Sequence, residues 1–316
     1  MTLRERPVLR FRADGTFTIA QFTDVHWSNG GLEDARSLDL MERILDAEAP
    51  DLVVLTGDIL EGSLASDPSQ AYRSVFGPME RRGVPWAAVF GNHDDEGASS
   101  RAELLALQQS HRLCLTEAGP PGVTGVSNYV LRVLSPKTDR IQAALYFLDS
   151  NAYNSLGVGD YAWIAHDQIA WYLKAAQGFR REWGEQPQRI PALAFFHIPI
   201  PEYQEAWERS VCKGSRNEPV CGPLLNSGLF AALLEAGDVM GTFVGHDHVN
   251  DFEGELFGVR LCYGRATGYA PYGQEGFRRG ARLVRLLEGV RRFETWLRLD
   301  DGSLVDEPEV HEPEGL

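Results

Sequence analysis

Five apolar segments of the chain are each followed, within two residues, by a short polar block that carries aspartate, asparagine or histidine. The segments are Thr18–Phe22, Leu52–Thr56, Val84–Phe90, Ala192–Phe196 and Gly241–Val244. Continuous apolar runs of this length are typical of strands that are buried on both faces. Because the carboxyl ends of strands in an open α/β sheet border a common crevice, the polar blocks are expected to meet there. The chain must therefore fold so that positions between 24 and 248 contribute to one site.

The polar blocks supply seven side chains that suit divalent metal ions. They are Asp24, His26, Asp58, Asn92, His197, His246 and His248. Carboxylate and amide oxygens combined with imidazole nitrogens, and no thiolate, favour ions such as manganese, iron and zinc. Seven ligands exceed the needs of one tetrahedral ion. If Asp58 bridges two ions, each ion receives four protein ligands, so the sequence predicts a two-metal centre.

Each of these residues, taken alone, has a simpler explanation, because aspartate and asparagine at strand ends often only cap a loop. The prediction therefore depends on all seven occurring in this order. Asp149–Asn151 also follows an apolar run, and an ordinary role in a loop is favoured for it. His111, His166 and His311 follow no such block and are interpreted as surface or ordinary hydrogen-bonding histidines.

The segments between the strands show helical periodicity, and two further pairs of apolar runs are typical of hairpins. The predicted helices lie between Asp34 and Pro50 and at Ser69–Arg82, Arg101–Gln109, Asp167–Ala176 and Leu229–Glu235. The predicted hairpins join Asn128–Leu134 to Gln142–Leu148 and Ala281–Leu287 to Phe293–Leu299. Alternating strands and helices indicate βαβ units. We therefore predict an α/β fold with mixed sheets, in which two sheets pack face to face with helices outside.

Residues 1–299 are predicted to form a single domain, because neither half of the chain contains all the metal-ligand blocks. Residues 300–316 are rich in aspartate and glutamate and are expected to form a loosely ordered acidic tail. The charged N-terminus lacks the apolar core of a secretory signal, and no stretch approaches the ~18 apolar residues of a membrane helix. A cytoplasmic protein without a membrane partner is expected.

Charge and cysteine usage exclude several classes of protein. The net charge of −15 opposes binding to DNA, RNA or anionic membranes. The four cysteines form no C-x-x-C pair, which argues against a zinc ribbon or a thioredoxin-like site. Reduced thiols are the favoured interpretation in the cytosol, and a Cys212–Cys221 disulfide is the alternative. A local cluster of four arginines is expected on a solvated strand face and consists of Arg278, Arg279, Arg282 and Arg285. The sequence leaves the oligomeric state unknown.

In order along the chain, the polar blocks read D-x-H, G-D, G-N-H-D, H and G-H-x-H, and this series resembles the calcineurin-like metallophosphoesterase superfamily. Gly245–Phe252 and Leu261–Gly264 are similar to its short single-domain branch related to purple acid phosphatases. The resemblance implies a metallo-dependent phosphatase-like, four-layer αββα sandwich. The implied ligands of the first metal are Asp24, His26, Asp58 and His248, and those of the second are Asp58, Asn92, His197 and His246.

The same resemblance implies hydrolysis of phosphate esters by metal-bound hydroxide, with His93 as the acid that protonates the leaving group. Either Asp94 or Asp95 is expected to orient the His93 imidazole. A phosphomonoesterase acting on small phosphate esters or phosphoproteins is the leading hypothesis. A phosphodiesterase, including one for cyclic nucleotides, is the alternative. A non-catalytic scaffold is less favoured, since no ligand is missing.

Two positions depart from the pattern of the purple enzymes. Glu61 stands where those enzymes carry the tyrosine that ligates ferric iron and gives the colour, and His26 stands where they generally carry glycine. No tyrosinate absorption band is therefore expected, and two divalent ions are the simpler expectation. Tyr263, Tyr269 and Tyr272 are candidates for a pocket wall, although aromatic packing under a loop is an equally good interpretation.

Overall fold

The computed structural model describes residues 6–184 and 188–313, which form two β-sheets flanked by helices. The strands are β1 (Thr16–Phe22), β2 (Leu52–Thr56), β3 (Trp86–Val89), β4 (Tyr129–Leu134), β5 (Ile141–Phe147), β6 (Ala192–Phe195), β7 (Cys212–Lys213), β8 (Val239–Val244), β9 (Glu253–Leu256), β10 (Val259–Tyr263), β11 (Gly280–Leu287), β12 (Phe293–Leu299), β13 (Leu304–Val305) and β14 (Val310–His311). The helices are α1 (Leu32–Glu48), α2 (Pro68–Arg82), α3 (Arg101–Gln109), α4 (His166–Trp183), α5 (Glu202–Arg209) and α6 (Leu229–Ala236).

Both sheets are mixed, which confirms the predicted fold class. The six-stranded sheet has the order β13-β12-β11-β1-β2-β3, and the eight-stranded sheet has the order β14-β7-β9-β10-β8-β6-β5-β4. Strands β1, β2 and β3 are parallel, as are β5, β6, β8 and β10. The predicted hairpins β4–β5 and β11–β12 are antiparallel. The parallel strands of each sheet therefore present their carboxyl ends at a common edge.

Three apolar cores show how the layers are stacked. Alternate residues of β1 point to opposite faces, so that Ile19 joins a core shared with the eight-stranded sheet and Ala20 joins a core shared with the helices. The first core contains residues of both sheets, such as Phe195 and Val284. The second packs α1, α2 and α3 on the six-stranded sheet, and the third packs α4, α5 and α6 on the eight-stranded sheet. The result is the four-layer αββα sandwich implied by the resemblance.

The acidic C-terminal segment is not the loose tail that we predicted. Strand β13 pairs with β12, and β14 pairs with β7, so this segment touches both sheets. The His311 ring stacks on that of Trp207 with 3.8 Å between centroids. Backbone pairing is available to any sequence, and the paired positions here include the apolar Leu304, Val305 and Val310 between the acidic residues. Residues 314–316 lie outside the described residues.

Two of the four arginines expected on a solvated face are buried. Arg282 is 3% exposed and donates hydrogen bonds to the backbone carbonyls of Tyr263 and Asp251. Arg279 is also buried and donates to the carbonyls of Pro271 and Tyr272. For Arg282 the expectation failed because β11 is an inner strand between β1 and β12. Arg279 precedes this strand and is held by the carbonyls of the loop before it.

The described cysteines are all free, so the alternative Cys212–Cys221 disulfide is absent from this part of the chain. Cys212 is buried in β7, and Cys221 is half-buried in a loop. Within residues 6–184 and 188–313, the helices are too short or too polar to cross a bilayer.

Candidate metal centre

The predicted ligands lie in the loops that follow β1, β2, β3, β6 and β8, and all seven side chains are buried. Six of them fall into two groups whose donor atoms lie within 4.8 Å of one another. Asp58 belongs to both groups. Ligand counting in the sequence predicted two sites that share this aspartate, and the two groups of side chains share it as well.

The first group consists of Asp24, His26, Asp58 and His248. Its histidine nitrogens face carboxylates: His26 Nε2 lies 3.5 Å from Asp58 Oδ2, and His248 Nε2 lies 3.6 Å from Asp24 Oδ1. Behind this group, Glu61 Oε2 accepts a hydrogen bond from His26 Nδ1 at 2.9 Å. Such a bond fixes the tautomer and directs Nε2 toward the centre. The two residues that depart from the purple enzymes therefore contact each other.

The second group contains Asp58, His197 and His246. Asn92 lies in the loop that contacts the shared Asp58. Asp58 Oδ2 lies 3.1 Å from His197 Nε2, and His246 Nδ1 lies 3.3 Å from the same nitrogen. The residue after Asn92 donates its backbone N–H to Asp58 Oδ1 at 2.8 Å, which holds the asparagine loop against the shared aspartate. Because one oxygen of Asp58 faces histidines of both groups, its position fits a bridging carboxylate.

The backbone turns sharply at several ligands. Asp24, His26, Asp58 and His246 have φ angles of 53°, 48°, 47° and 77°, in the left-handed region. They are half of the eight described non-glycine residues with positive φ. Side-chain residues adopt this conformation at a cost, and such strain concentrates at functional sites. The strain here directs each side chain back across the strand end toward its neighbours.

Two glycines next to ligands permit close packing of the loops. A Cβ atom on Gly91 would lie 2.1 Å from Asp58 Oδ1, and one on Gly245 would lie 1.9 Å from Thr23 Oγ1. Neither distance is possible unless the neighbouring atoms move. The glycines of G-N-H-D and G-H-x-H are therefore needed for the approach of the loops, in addition to the ligands that follow them.

Unpaired polar atoms indicate that the site fits metal ions. Eleven buried side-chain nitrogen or oxygen atoms of the described residues have no hydrogen-bond partner. Four of them belong to predicted ligands and are His26 Nε2, Asp58 Oδ2, Asn92 Oδ1 and His248 Nδ1. Leaving a buried polar atom unpaired is unfavourable, and coordination of a cation would remove that penalty. The nitrogen and oxygen donors suit divalent ions.

Protonation in the ligand cluster without metal is uneven. Burial opposes a charge on His197, but the Asp58 carboxylate outweighs it and raises the pKa of this histidine to about 9. Burial and the neighbouring His197 lower the pKa of His246 to about 3, and burial lowers that of His248 as well. His246 and His248 are thus neutral donors at pH 7, whereas His197 must release a proton when a metal binds.

The histidine predicted to face the substrate lies beside the ligands and is oriented by a residue that we did not predict. The side chain of His93 is 33% exposed, and its Nδ1 donates to Glu96 Oε2 at 2.8 Å. The expected partners are engaged elsewhere. Asp94 accepts hydrogen bonds from the backbone N–H of Gly91 in its own loop and of Leu60 in the loop after β2, and Asp95 pairs with Arg101. The loop turns after His93, so that the side chain of Glu96, three positions later, faces the imidazole.

The three tyrosines proposed as a pocket wall have different positions. The Tyr272 ring lies 4.2 Å from that of His248 and is 55% exposed, so it borders the site. Tyr263 is buried and donates to Asp247 at 2.5 Å. Tyr269 donates to Asp300. Aromatic packing under the loop therefore describes the last two better than a pocket wall does.

Two tyrosines that sequence reasoning missed border the second ligand group. The Tyr161 ring lies 4.5 Å from that of His246, and the Tyr153 hydroxyl accepts a hydrogen bond from Asn92 Nδ2 at 3.1 Å. Both belong to the loop after β5, where no periodicity or motif marked them. For Glu96 the only signal in the sequence was its spacing from His93, and for Glu61 it was the departure from the purple enzymes.

Comparison with known proteins agrees with this geometry. Residues 17–250 match the family model described as calcineurin-like phosphoesterase. A protein of Arabidopsis thaliana named "Probable inactive purple acid phosphatase 29" is 35% identical over 95% of this chain and 86% of its own length. "Phosphatase DCR2" of Saccharomyces cerevisiae is 30% identical over 91% of this chain and 54% of its own length.

Two solved structures share the fold. A dimetal phosphatase from Danio rerio has a TM-score of 0.54 and 16% identity, covering 88% of this chain and 98% of its own. A purple acid phosphatase from yellow lupin seeds has a TM-score of 0.57 and 14% identity, covering 92% of this chain and 53% of its own. At this identity the likeness concerns the fold alone. Together with the family model, which spans well over half of the sequence, these findings show that the chain belongs to the calcineurin-like phosphoesterase family.

Proposed function

We propose that the protein is a binuclear metal-dependent phosphomonoesterase that hydrolyses small phosphate esters or phosphoproteins. The observation that carries this proposal is that all seven predicted ligands are present and buried, and that four of them have an unpaired buried side-chain nitrogen or oxygen. Two divalent ions bound in such a site would supply an activated water and stabilise the charge on the phosphoryl group. Manganese, iron and zinc all suit the donors.

The roles of the residues follow from their positions. The first ion would be held by Asp24, His26, Asp58 and His248, and the second by Asp58, Asn92, His197 and His246. His93 stands beside both groups with Nδ1 bonded to Glu96. Its Nε2 is thereby left to donate a proton to the leaving oxygen of the ester, the role of a general acid. The net charge of −15 supports small esters over nucleic acid as substrates.

The names of similar proteins point in two directions. Relatives from Arabidopsis thaliana carry the words "probable inactive", whereas the yeast relative is named a phosphatase. An inactive scaffold is expected to have lost metal ligands. This chain keeps the full set, which supports catalysis and makes the scaffold the less favoured reading.

The test compares turnover of p-nitrophenyl phosphate, bis-p-nitrophenyl phosphate and cyclic AMP after loading with manganese, zinc or iron. We expect two metal ions per chain by elemental analysis and faster turnover of the monoester than of either diester. Faster diester turnover would replace the proposal with a phosphodiesterase. Two bound metals without turnover of any ester would indicate a non-catalytic scaffold.

A further inference from the structure

One hydroxyl group joins a predicted metal ligand to the residue that orients the predicted acid. The Tyr153 hydroxyl accepts a hydrogen bond from Asn92 Nδ2 at 3.1 Å and donates one to Glu96 Oε1 at 2.6 Å. The other oxygen of Glu96 accepts from His93 Nδ1 at 2.8 Å. The four side chains therefore form one continuous chain of hydrogen bonds from the second ligand group to the imidazole.

At the metal end, this chain determines which way the asparagine amide faces. Asn92 is 1% exposed, and with its nitrogen bonded to Tyr153 its Oδ1 has no hydrogen-bond partner. A metal ligand needs the oxygen, since the amide nitrogen has no free lone pair to offer. The hydroxyl thus holds the amide in the orientation that coordination requires.

At the other end, both oxygens of the Glu96 carboxylate are engaged, one by His93 and one by Tyr153. A carboxylate on Nδ1 places the imidazole proton on that nitrogen and fixes the orientation of the ring. The opposite nitrogen is then directed to the substrate side, where the ring is 33% exposed. Without the tyrosine hydroxyl, the Glu96 carboxylate would keep only its hydrogen bond to His93.

The loop that carries Tyr153 is itself held against the site. Ala162 donates its backbone N–H to Ala152, and the Tyr153 and Tyr161 rings stack with 6.0 Å between centroids. Tyr161 in turn packs on the His246 ring. The loop follows a strand of the eight-stranded sheet, whereas Asn92, His93 and Glu96 follow a strand of the six-stranded sheet. The hydroxyl therefore spans the gap between the two sheets.

We infer that Tyr153 and Glu96 are positioning residues that align Asn92 for the second metal and His93 for proton donation. The inference rests on the proposed function for the role of His93. The alignment of Asn92 concerns metal binding alone and stands apart from turnover.

The first test is Tyr153→Phe, which keeps the ring and removes only the hydroxyl. Titration of metal-free protein with manganese by calorimetry should show two binding steps in the wild type. In Y153F the step that fills the second ligand group should lose about 10-fold in affinity or more, the range seen when a group behind a ligand is removed, and the other step should be unchanged. The matched control is Tyr269→Phe, which removes another tyrosine–carboxylate hydrogen bond, to Asp300, and should bind manganese as the wild type does.

The second test is Glu96→Gln, measured on two monoesters. Turnover of glycerol 2-phosphate, whose alkoxide needs a proton, should fall by about 10- to 100-fold. Turnover of p-nitrophenyl phosphate should fall much less, because p-nitrophenolate leaves without one. Glu96→Asp should recover part of the loss, and the exposed Glu117→Gln should behave as the wild type. A general loss of structure would instead slow both esters equally.

Wild-type manganese binding in Y153F would overturn the role of Tyr153 toward Asn92. An equal effect of E96Q on both esters, or none, would overturn the role of Glu96 toward His93. If the loaded wild type hydrolyses neither ester, the proposed function fails, and the manganese titration of Y153F alone decides the inference. Thermal melting of each variant checks that it is folded.

Discussion

The two ligand groups that meet at Asp58 differ in charge and in the residues behind their ligands. The first has a second carboxylate, Asp24, and the carboxylate of Glu61 is hydrogen-bonded to one of its imidazoles. In the second, His197 Nδ1 donates at 2.7 Å to a neutral group, the backbone carbonyl of Thr56. Attraction to a divalent cation grows with the negative charge close to it. We therefore expect the first group to bind its ion more tightly.

This difference is not visible in the number of ligands, since each predicted set has four. It arises from side chains that do not touch the metal. A negatively charged group behind a histidine strengthens the histidine as a donor more than a carbonyl does. The two sites of this centre should therefore fill one after the other as metal is added. Variants can test each site separately.

The largest effect is expected for Asp58→Asn, because this residue belongs to both groups. The amide still accepts the N–H of His93 but has lost the charge that attracts both ions. Both metal affinities should fall together, and turnover should fall more than about 100-fold, beyond the range for residues that only support a ligand. Elemental analysis and turnover provide the measurements. Retention of one ion at wild-type affinity would show that Asp58 serves a single site.

His93→Ala should lower turnover without changing the metal affinity of either ligand group. The side chain lies outside both ligand groups, and removal of a general acid typically costs about 10²- to 10⁴-fold. We expect two metals per chain with unchanged affinities, and a larger loss for alkyl esters than for p-nitrophenyl phosphate. Loss of a metal ion would make His93 a ligand and contradict its assignment as the acid.

Glu61→Gln should weaken only the first group. The amide preserves the shape of the side chain but removes the charge behind His26, and an effect of about 10- to 100-fold on one metal affinity is expected. Calorimetric titration would show the two binding steps moving closer together. This is the opposite of Tyr153→Phe, which should separate them further. If E61Q weakened both binding steps equally, the charge of Glu61 would not explain a difference in metal affinity between the two groups.

The smallest effect concerns colour. Glu61 occupies the position of the iron-ligating tyrosine of the purple enzymes, and the Tyr272 hydroxyl near His248 donates instead to Glu218 at 2.7 Å. Iron-loaded protein should therefore show no tyrosinate absorption band in a visible spectrum. A band near the maximum of the purple enzymes would mean that a tyrosine coordinates the first site, and the charge difference between the groups would then need revision.

Much of the fold could be predicted because the periodicity that marks a strand or a helix depends on residues close together in the chain. The apolar runs that became β1, β2, β3, β6 and β8 are continuous, and both predicted hairpins pair through short polar turns. Strands such as β7, β13 and β14 contain two residues each and carry no periodicity. Their pairing depends on sheets already formed, so the loose tail was predicted wrongly.

The candidate ligands could likewise be identified in the sequence, since each lies in the loop directly after a strand. The residues that support them could not be identified in this way. Asp94 and Asp95 were chosen for their closeness to His93, but the turn of the loop brings Glu96 to the imidazole. Arg282 was expected in solvent because an inner strand cannot be distinguished from an edge strand by alternation alone.

By itself, the sequence determined the type, order and number of the candidate metal ligands, because apolar strands and the polar residues that end them are local properties. Only the tertiary structure decided which atoms face each other. Glu61 reaches His26 across 35 positions, and Tyr153 reaches Asn92 across 61, from the other sheet. Such contacts depend on how the two sheets pack, and no local pattern in the chain encodes that packing.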